Sequence, residues 1–112
     1  MSDRDYNLLV EDILDAGEKV KKYTNNLSYD EFINSELTKD AVARNFEVIG
    51  EAASKIPEHI KHQYPNVEWK RIIGLRNRIV HEYFGIDYQI VWEIIQRQLD
   101  IFLDEIRSIP RE

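Results

Sequence analysis

The run from Trp69 to Phe84, Trp-Lys-Arg-Ile-Ile-Gly-Leu-Arg-Asn-Arg-Ile-Val-His-Glu-Tyr-Phe, limits the possible folds more than any other stretch. On a helical wheel at about 100° per residue, Ile72, Ile73, Leu75, Ile79, Val80, Tyr83 and Phe84 gather in one apolar arc over roughly half the circumference. The spacing predicts a helix with a buried face. Arg76 falls near the middle of that arc. A guanidinium keeps its charge at any ordinary pH, and burying one alone costs several kcal/mol. Arg76 must therefore meet a carboxylate, a bound anion or a water-filled cleft.

Asn77 and His81 are four apart, one turn above the other at the border of the arc. Each residue has a plain structural reading. Arg76 suits an ion pair with a neighbouring helix, His81 a hydrogen-bonded helix end, and Tyr83 a core aromatic with its hydroxyl at the surface. Together they supply a fixed cation, an amide, an imidazole and a phenol. Those are parts that bind a phosphodiester and move a proton. The residues alone leave both readings open.

The remaining chain also reads as helix. From about Asp5 to Tyr23, Tyr6, Leu9, Val10, Ile13, Leu14, Ala16, Val20 and Tyr23 share one half of a wheel, with acidic and basic residues mainly outside it. Thr24 to Leu27 breaks the pattern, and Ser28 to Glu31 reads as a capping box for a short turn carrying Phe32 and Ile33. A second long helix is expected from about Leu37 to Ile56. Gly50 lies at the edge of its apolar arc, where a missing side chain lets a helix or ligand approach. Glu47 and Glu51 lie opposite the core. Solvation is their simpler reading, and pairing with Arg76 is the alternative.

Pro57 and Pro65 bracket a short segment in which His59 and His62 are three apart, too few ligands for a metal site. Gly85 is suited to ending the central helix with positive φ, and Asp87 to capping the last one. That last helix, about Tyr88 to Ile106, carries two apolar stripes. Val91, Trp92, Ile95, Leu99, Phe102, Leu103 and Ile106 form one, and Ile90, Ile94 and Ile101 the other. Two stripes need two partners, either two neighbours within the bundle or one neighbour and a second copy of the chain.

The expected architecture is all-α, an antiparallel bundle of four main helices plus short helical turns in a single domain over residues 1–112. With no cysteine, neither a disulfide framework nor a thiolate metal site is available. No apolar run approaches the roughly 18 residues of a membrane span, and a cytoplasmic protein without a cofactor is expected. The net charge of −6 excludes a general nucleic-acid coat, so any RNA contact is local. Lys70, Arg71, Arg76 and Arg78 provide the cations for one, with Lys55, Lys61 and His62 upstream.

The string Arg76-Asn77-Arg78-Ile79-Val80-His81-Glu82-Tyr83 resembles the signature of the HEPN superfamily, an Arg followed directly by Asn and, after four to six residues, by a His. The added His-x-Tyr ending is similar to the HepT branch, the toxins of HepT/MntA toxin-antitoxin systems. The likeness extends to the helical pattern over nearly the whole chain and to Val48-Ile-Gly-Glu-Ala52. It implies a homodimeric, metal-independent endoribonuclease in which the RNA 2′-hydroxyl attacks the adjacent phosphorus. It implies catalytic roles for Arg76, Asn77 and His81, and inactivation when an MntA-type nucleotidyltransferase attaches AMP to Tyr83. Two other classes fit the residues: a non-catalytic helical dimer that binds a nucleotide or the partner enzyme, and a purely structural dimer.

Overall fold

A computed structural model describes residues 3–82 and 85–111, and within them the helical periodicity is realised as seven helices without a strand. These are α1 (Asp3–Thr24), α2 (Tyr29–Ile33), α3 (Glu36–Lys55), α4 (Glu58–Gln63), α5 (Trp69–His81), α6 (Tyr88–Arg97) and α7 (Leu99–Arg107). Local chemistry sets several boundaries. Thr24 ends α1 by donating its hydroxyl to the Val20 carbonyl at 2.8 Å, and Asn26 turns the chain with φ of 67°. Ser28 and Glu31 form the expected reciprocal capping box, with bonds of 3.1 and 2.9 Å. Asp87 caps α6 by accepting from the amides of Gln89 and Ile90.

The bundle is organised around α3, which packs along both α1 and α5. Val10, Ile13 and Val20 of α1, Val42, Phe46, Ile49 and Ala53 of α3, and Phe32 of α2 are fully buried. Each large apolar side chain of this kind contributes about 1.5–3 kcal/mol of burial free energy. The α7 helix runs antiparallel to α1. Lys21 of α1 pairs with Asp100, Gly17 meets Leu103, Glu18 pairs with Arg107, Glu11 pairs with Arg111, and the Tyr6 hydroxyl donates to the Pro110 carbonyl. Asp100 holds the Lys21 ammonium above the usual lysine range by hydrogen bonding and charge.

Three expectations need correction. The last helix is not continuous: it breaks at Gln98, whose φ and ψ are −124° and −29°. The two halves serve different neighbours. On α6, Tyr88 and Trp92 stack against Phe32 of α2, while α7 lies along α1. One straight rod could not reach both. Arg71 Nη1 holds the junction by donating to Gln98 Oε1 at 2.9 Å.

The central helix also stops at His81 rather than near Phe84, and Gly85 does not adopt positive φ. The Glu82 amide bonds back to Arg78 at 2.8 Å and the Gly85 amide to Glu82 at 2.7 Å, which begins the turn into α6 early. Finally, Tyr23 and Val80, both assigned to apolar arcs, are exposed: they sit at the edge of faces on which the adjacent Thr24 and Ile79 are the buried residues. The two-stripe pattern of the C-terminal region is present. The first stripe is largely buried, whereas Ile90 and Ile101 are 45% and 61% exposed.

Candidate functional site

Helices α3 and α5 meet at Gly50. A Cβ at that position would overlap Arg76 Cβ, lie 2.7 Å from its Cγ and stand 3.1 Å from the Ile72 carbonyl oxygen. The glycine therefore admits the stem of Arg76 against the α3 backbone, the close approach its place at the edge of the arc suggested. The packed stem fixes where the guanidinium begins. Its side chain is 29% exposed, so the charge sits at the rim of the core rather than inside it.

Two groups hold the guanidinium. Nη2 pairs with Glu51 Oε2 at 2.6 Å, and Nη1 donates to Asn77 Oδ1 at 2.9 Å. Nε is buried without a hydrogen-bond partner. The solvation assigned to Glu51 is thus a correction: it is the carboxylate that Arg76 requires, and it also lies 3.5 Å from Lys55 Nζ. Glu47 pairs instead with Arg44 at 3.5 Å. The sequence carried a signal for this, since Glu51 follows the very glycine at which another helix can approach.

Asn77 is exposed, and its amide oxygen is committed to Arg76. His81 occupies the last helical position of α5, one turn beyond Asn77, and is exposed. Tyr83, the proposed modification site, lies outside the described residues. The structure thus joins Arg76 directly to Asn77, adds Glu51, and leaves the His81 imidazole open to solvent at the helix end.

A cleft of about 340 Å³ opens beside Arg76. Leu9, Val48 and Ala52 form part of its wall, and Arg44, Lys55 and Arg76 alternate there with Asp12, Glu47 and Glu51. Three cations and three carboxylates balance. The basic helix is similarly tempered, because Arg78 lies 3.7 Å from Glu82, and on α4 Lys61 lies 3.7 Å from Glu58. A separate apolar groove of about 220 Å³ runs between α5 and the α6–α7 junction and contains none of Arg76, Asn77 or His81. His59 and His62 are both exposed, and no group of three potential metal ligands occurs among the described residues. No helix there is long and apolar enough to cross a membrane.

The model of the family described as "Ribonuclease HepT-like" matches residues 13–109, which include Gly50, Glu51, Arg76, Asn77 and His81. The chain belongs to the HepT-like ribonuclease family. A Methanocaldococcus jannaschii protein named as an RNase by inference is 38% identical over 109 residues, covering 97% of this chain and all of the relative. Another inferred RNase, from Caldanaerobacter subterraneus, is 31% identical over 100 residues and 89% of each chain. A protein of Thermococcus cleftensis named as a ribonuclease HepT, again by inference, is 32% identical over 98 residues, covering 88% of this chain and 86% of the relative. No solved structure matches the chain. The helical bundle and the Arg76–Asn77 pair of this HepT-like protein accord with the HEPN resemblance in its sequence.

Proposed function

We propose that this HepT-like protein is a metal-independent endoribonuclease toxin in which the substrate supplies its own nucleophile. The ribose 2′-hydroxyl attacks the adjacent phosphorus, the 5′-oxygen leaves, and a 2′,3′-cyclic phosphate remains. The observation that carries this reading is the placement of the Arg76 guanidinium, fixed by Gly50 and Asn77, on the helix that ends in an open imidazole. Arg76 binds the phosphate and stabilises the charge that develops on it. Asn77 orients Arg76, to which it is already bonded, and contributes its amide to the phosphate oxygens. His81 takes the 2′-hydroxyl proton or gives one to the leaving oxygen.

One imidazole cannot readily do both at once, so a homodimer that brings two copies together suits the chemistry. The exposed Ile90 and Ile101 stripe is a surface on which the second copy would bury apolar area. Tyr83 is the proposed target of an MntA-type nucleotidyltransferase. Attached AMP would place bulk and a phosphate charge two residues from His81, where it competes with RNA for Arg76. Such a toxin acts on RNA in the cytoplasm, within one domain spanning the chain.

The test uses two matched oligonucleotides, one of RNA and one carrying a 2′-O-methyl group at every ribose. Cleavage of the first and survival of the second support in-line attack by the 2′-hydroxyl, and equal cleavage of both defeats it. Mass spectrometry after co-expression with a partner nucleotidyltransferase tests the second element, which fails if inhibited protein carries no AMP on Tyr83. The Arg76–Glu51 ion pair favours one further reading, a non-catalytic dimer in which Arg76 is structural. Neither cleavage nor binding of RNA or nucleotide, with stability lost in Arg76→Ala, would be its sign.

A further inference from the structure

The group that holds Arg76 in the free protein is itself an anion. Glu51 offers the guanidinium one carboxylate oxygen at 2.6 Å and has a second cation, Lys55, 3.5 Å from its other oxygen. The Glu51 side chain is 43% exposed and lies in the cleft beside Arg76, so its carboxylate has open space into which it can withdraw. Among the described residues only the Nη atoms of Arg76 are engaged, one by Glu51 and one by Asn77, and Nε has no acceptor. The guanidinium is positioned but its donors are not saturated.

We propose that Glu51 sets the anion affinity of the site: it occupies Arg76 until a phosphate replaces it, whereupon its carboxylate remains with Lys55 alone. This inference rests on the assignment of Arg76 as the phosphate-binding residue. Its chemistry is an exchange of one oxyanion for another, with no covalent change. Glu51 brings one negative charge but only one oxygen to Arg76, because the other faces Lys55. A phosphodiester brings an equal charge with two free oxygens for a planar fork, so the exchange favours phosphate through geometry more than through charge. The neutral balance of the cleft acts in the same direction. Anions without that two-oxygen match gain little by displacing Glu51, which restrains a small acidic protein from binding polyanions at large.

The decisive measurement follows the Arg76 Nε–H signal by nitrogen-15 NMR in the full-length protein during titration with inorganic phosphate, comparing wild type with Glu51→Gln. The variant removes the competing charge and keeps a hydrogen-bonding group of the same length. Phosphate should shift the signal at concentrations about three- to fivefold lower in the variant, the factor expected from losing a half-exposed ion pair. Equal or weaker phosphate binding by a folded Glu51→Gln protein overturns the proposal and makes Glu51 a structural partner only. If that variant does not fold, Glu51→Asp withdraws the same charge by one methylene and should show a smaller gain; no gain there is equally contrary. A 2′-O-methyl oligonucleotide titrated in parallel separates this idea from the parent assignment. Phosphate binding that strengthens in Glu51→Gln while neither protein binds the oligonucleotide sustains the exchange and removes RNA as its beneficiary.

Discussion

Replacing Gly50 by Ala probes the contact that positions Arg76. The new methyl would overlap Arg76 Cβ and lie 2.7 Å from Cγ. Unstrained carbon contacts are about 3.5–4.0 Å, so relief of the overlap with Arg76 Cβ requires α3 and α5 to separate by roughly 1.5 Å. Rotating Arg76 does not help, because its Cβ is fixed by the α5 backbone. Overpacking of this kind costs about 1–3 kcal/mol, against which the better helix propensity of Ala returns roughly 1 kcal/mol, leaving a net loss of up to about 2 kcal/mol. At about 4 °C per kcal/mol for a chain of this size, the melting temperature should fall by up to about 8 °C.

The same separation moves the guanidinium. A displacement near 1 Å at a phosphate-binding group can lower turnover by about a hundredfold. Gly74→Ala is the matched control: its added methyl has no heavy atom within 4 Å, in the middle of α5. It should stabilise the protein by up to about 1 kcal/mol and leave cleavage intact. Thermal unfolding by circular dichroism and RNA cleavage at a temperature where both variants are folded would read the two effects. If Gly50→Ala behaves like Gly74→Ala, the close packing of Arg76 is not what orders the site.

Other surfaces give further tests. Gly17→Ala places a methyl 2.9 Å from Leu103 Cδ1, a side chain that is fully buried and has little room to turn, so overpacking of about 1–3 kcal/mol against a propensity gain of roughly 1 kcal/mol should lower stability by up to about 2 kcal/mol. Denaturant unfolding checks this, and an unchanged midpoint contradicts the packing of α1 on α7. Changing Ile101 to Glu should leave monomer stability within about 0.5 kcal/mol, because the residue is exposed. Sedimentation should then show the proposed homodimer dissociating at least about tenfold more readily than in wild type. Unchanged association moves the interface elsewhere.

The features legible in the sequence were those decided by neighbours in the chain. The Ser28 capping box, the Asp87 cap and the periodicity of α1 and α3 depend on residues three or four apart, and all are present. Gly50 and Arg76 were also legible, one as a place of close approach and the other as a charge that demands a partner. Their union at one contact was not, because the wheel of one helix carries no information about its register against another.

The break at Gln98 was hidden for the same reason. Gln is an ordinary helix former, and the turn follows from α6 packing on α2 while α7 packs on α1. Tyr23 and Val80 match the apolar period, yet they sit at the edge of faces on which the adjacent Thr24 and Ile79 are the buried residues. Glu51 lies opposite the core on the wheel, where solvation is the simpler reading and pairing with Arg76 the alternative. Half-exposed ion pairs at a helix crossing lie where periodicity discriminates least.

The central claim is that Arg76 and His81 cleave RNA without a metal. It is tested most directly by incubating a cellular RNA pool with purified protein in EDTA, alongside Arg76→Ala and His81→Ala, and mapping the new ends chemically. His81 is exposed and makes no side-chain bond among the described residues, so His81→Ala should keep wild-type stability. Arg76→Ala loses an ion pair worth at most about 1 kcal/mol together with the stem packed against Gly50, so it should be less stable than wild type yet remain folded. The account predicts cleavage by wild type, 2′,3′-cyclic phosphate ends, and loss of at least about a hundredfold in each variant. Cleavage that persists in both folded variants, or that wild type performs only when a divalent metal is restored, would contradict it.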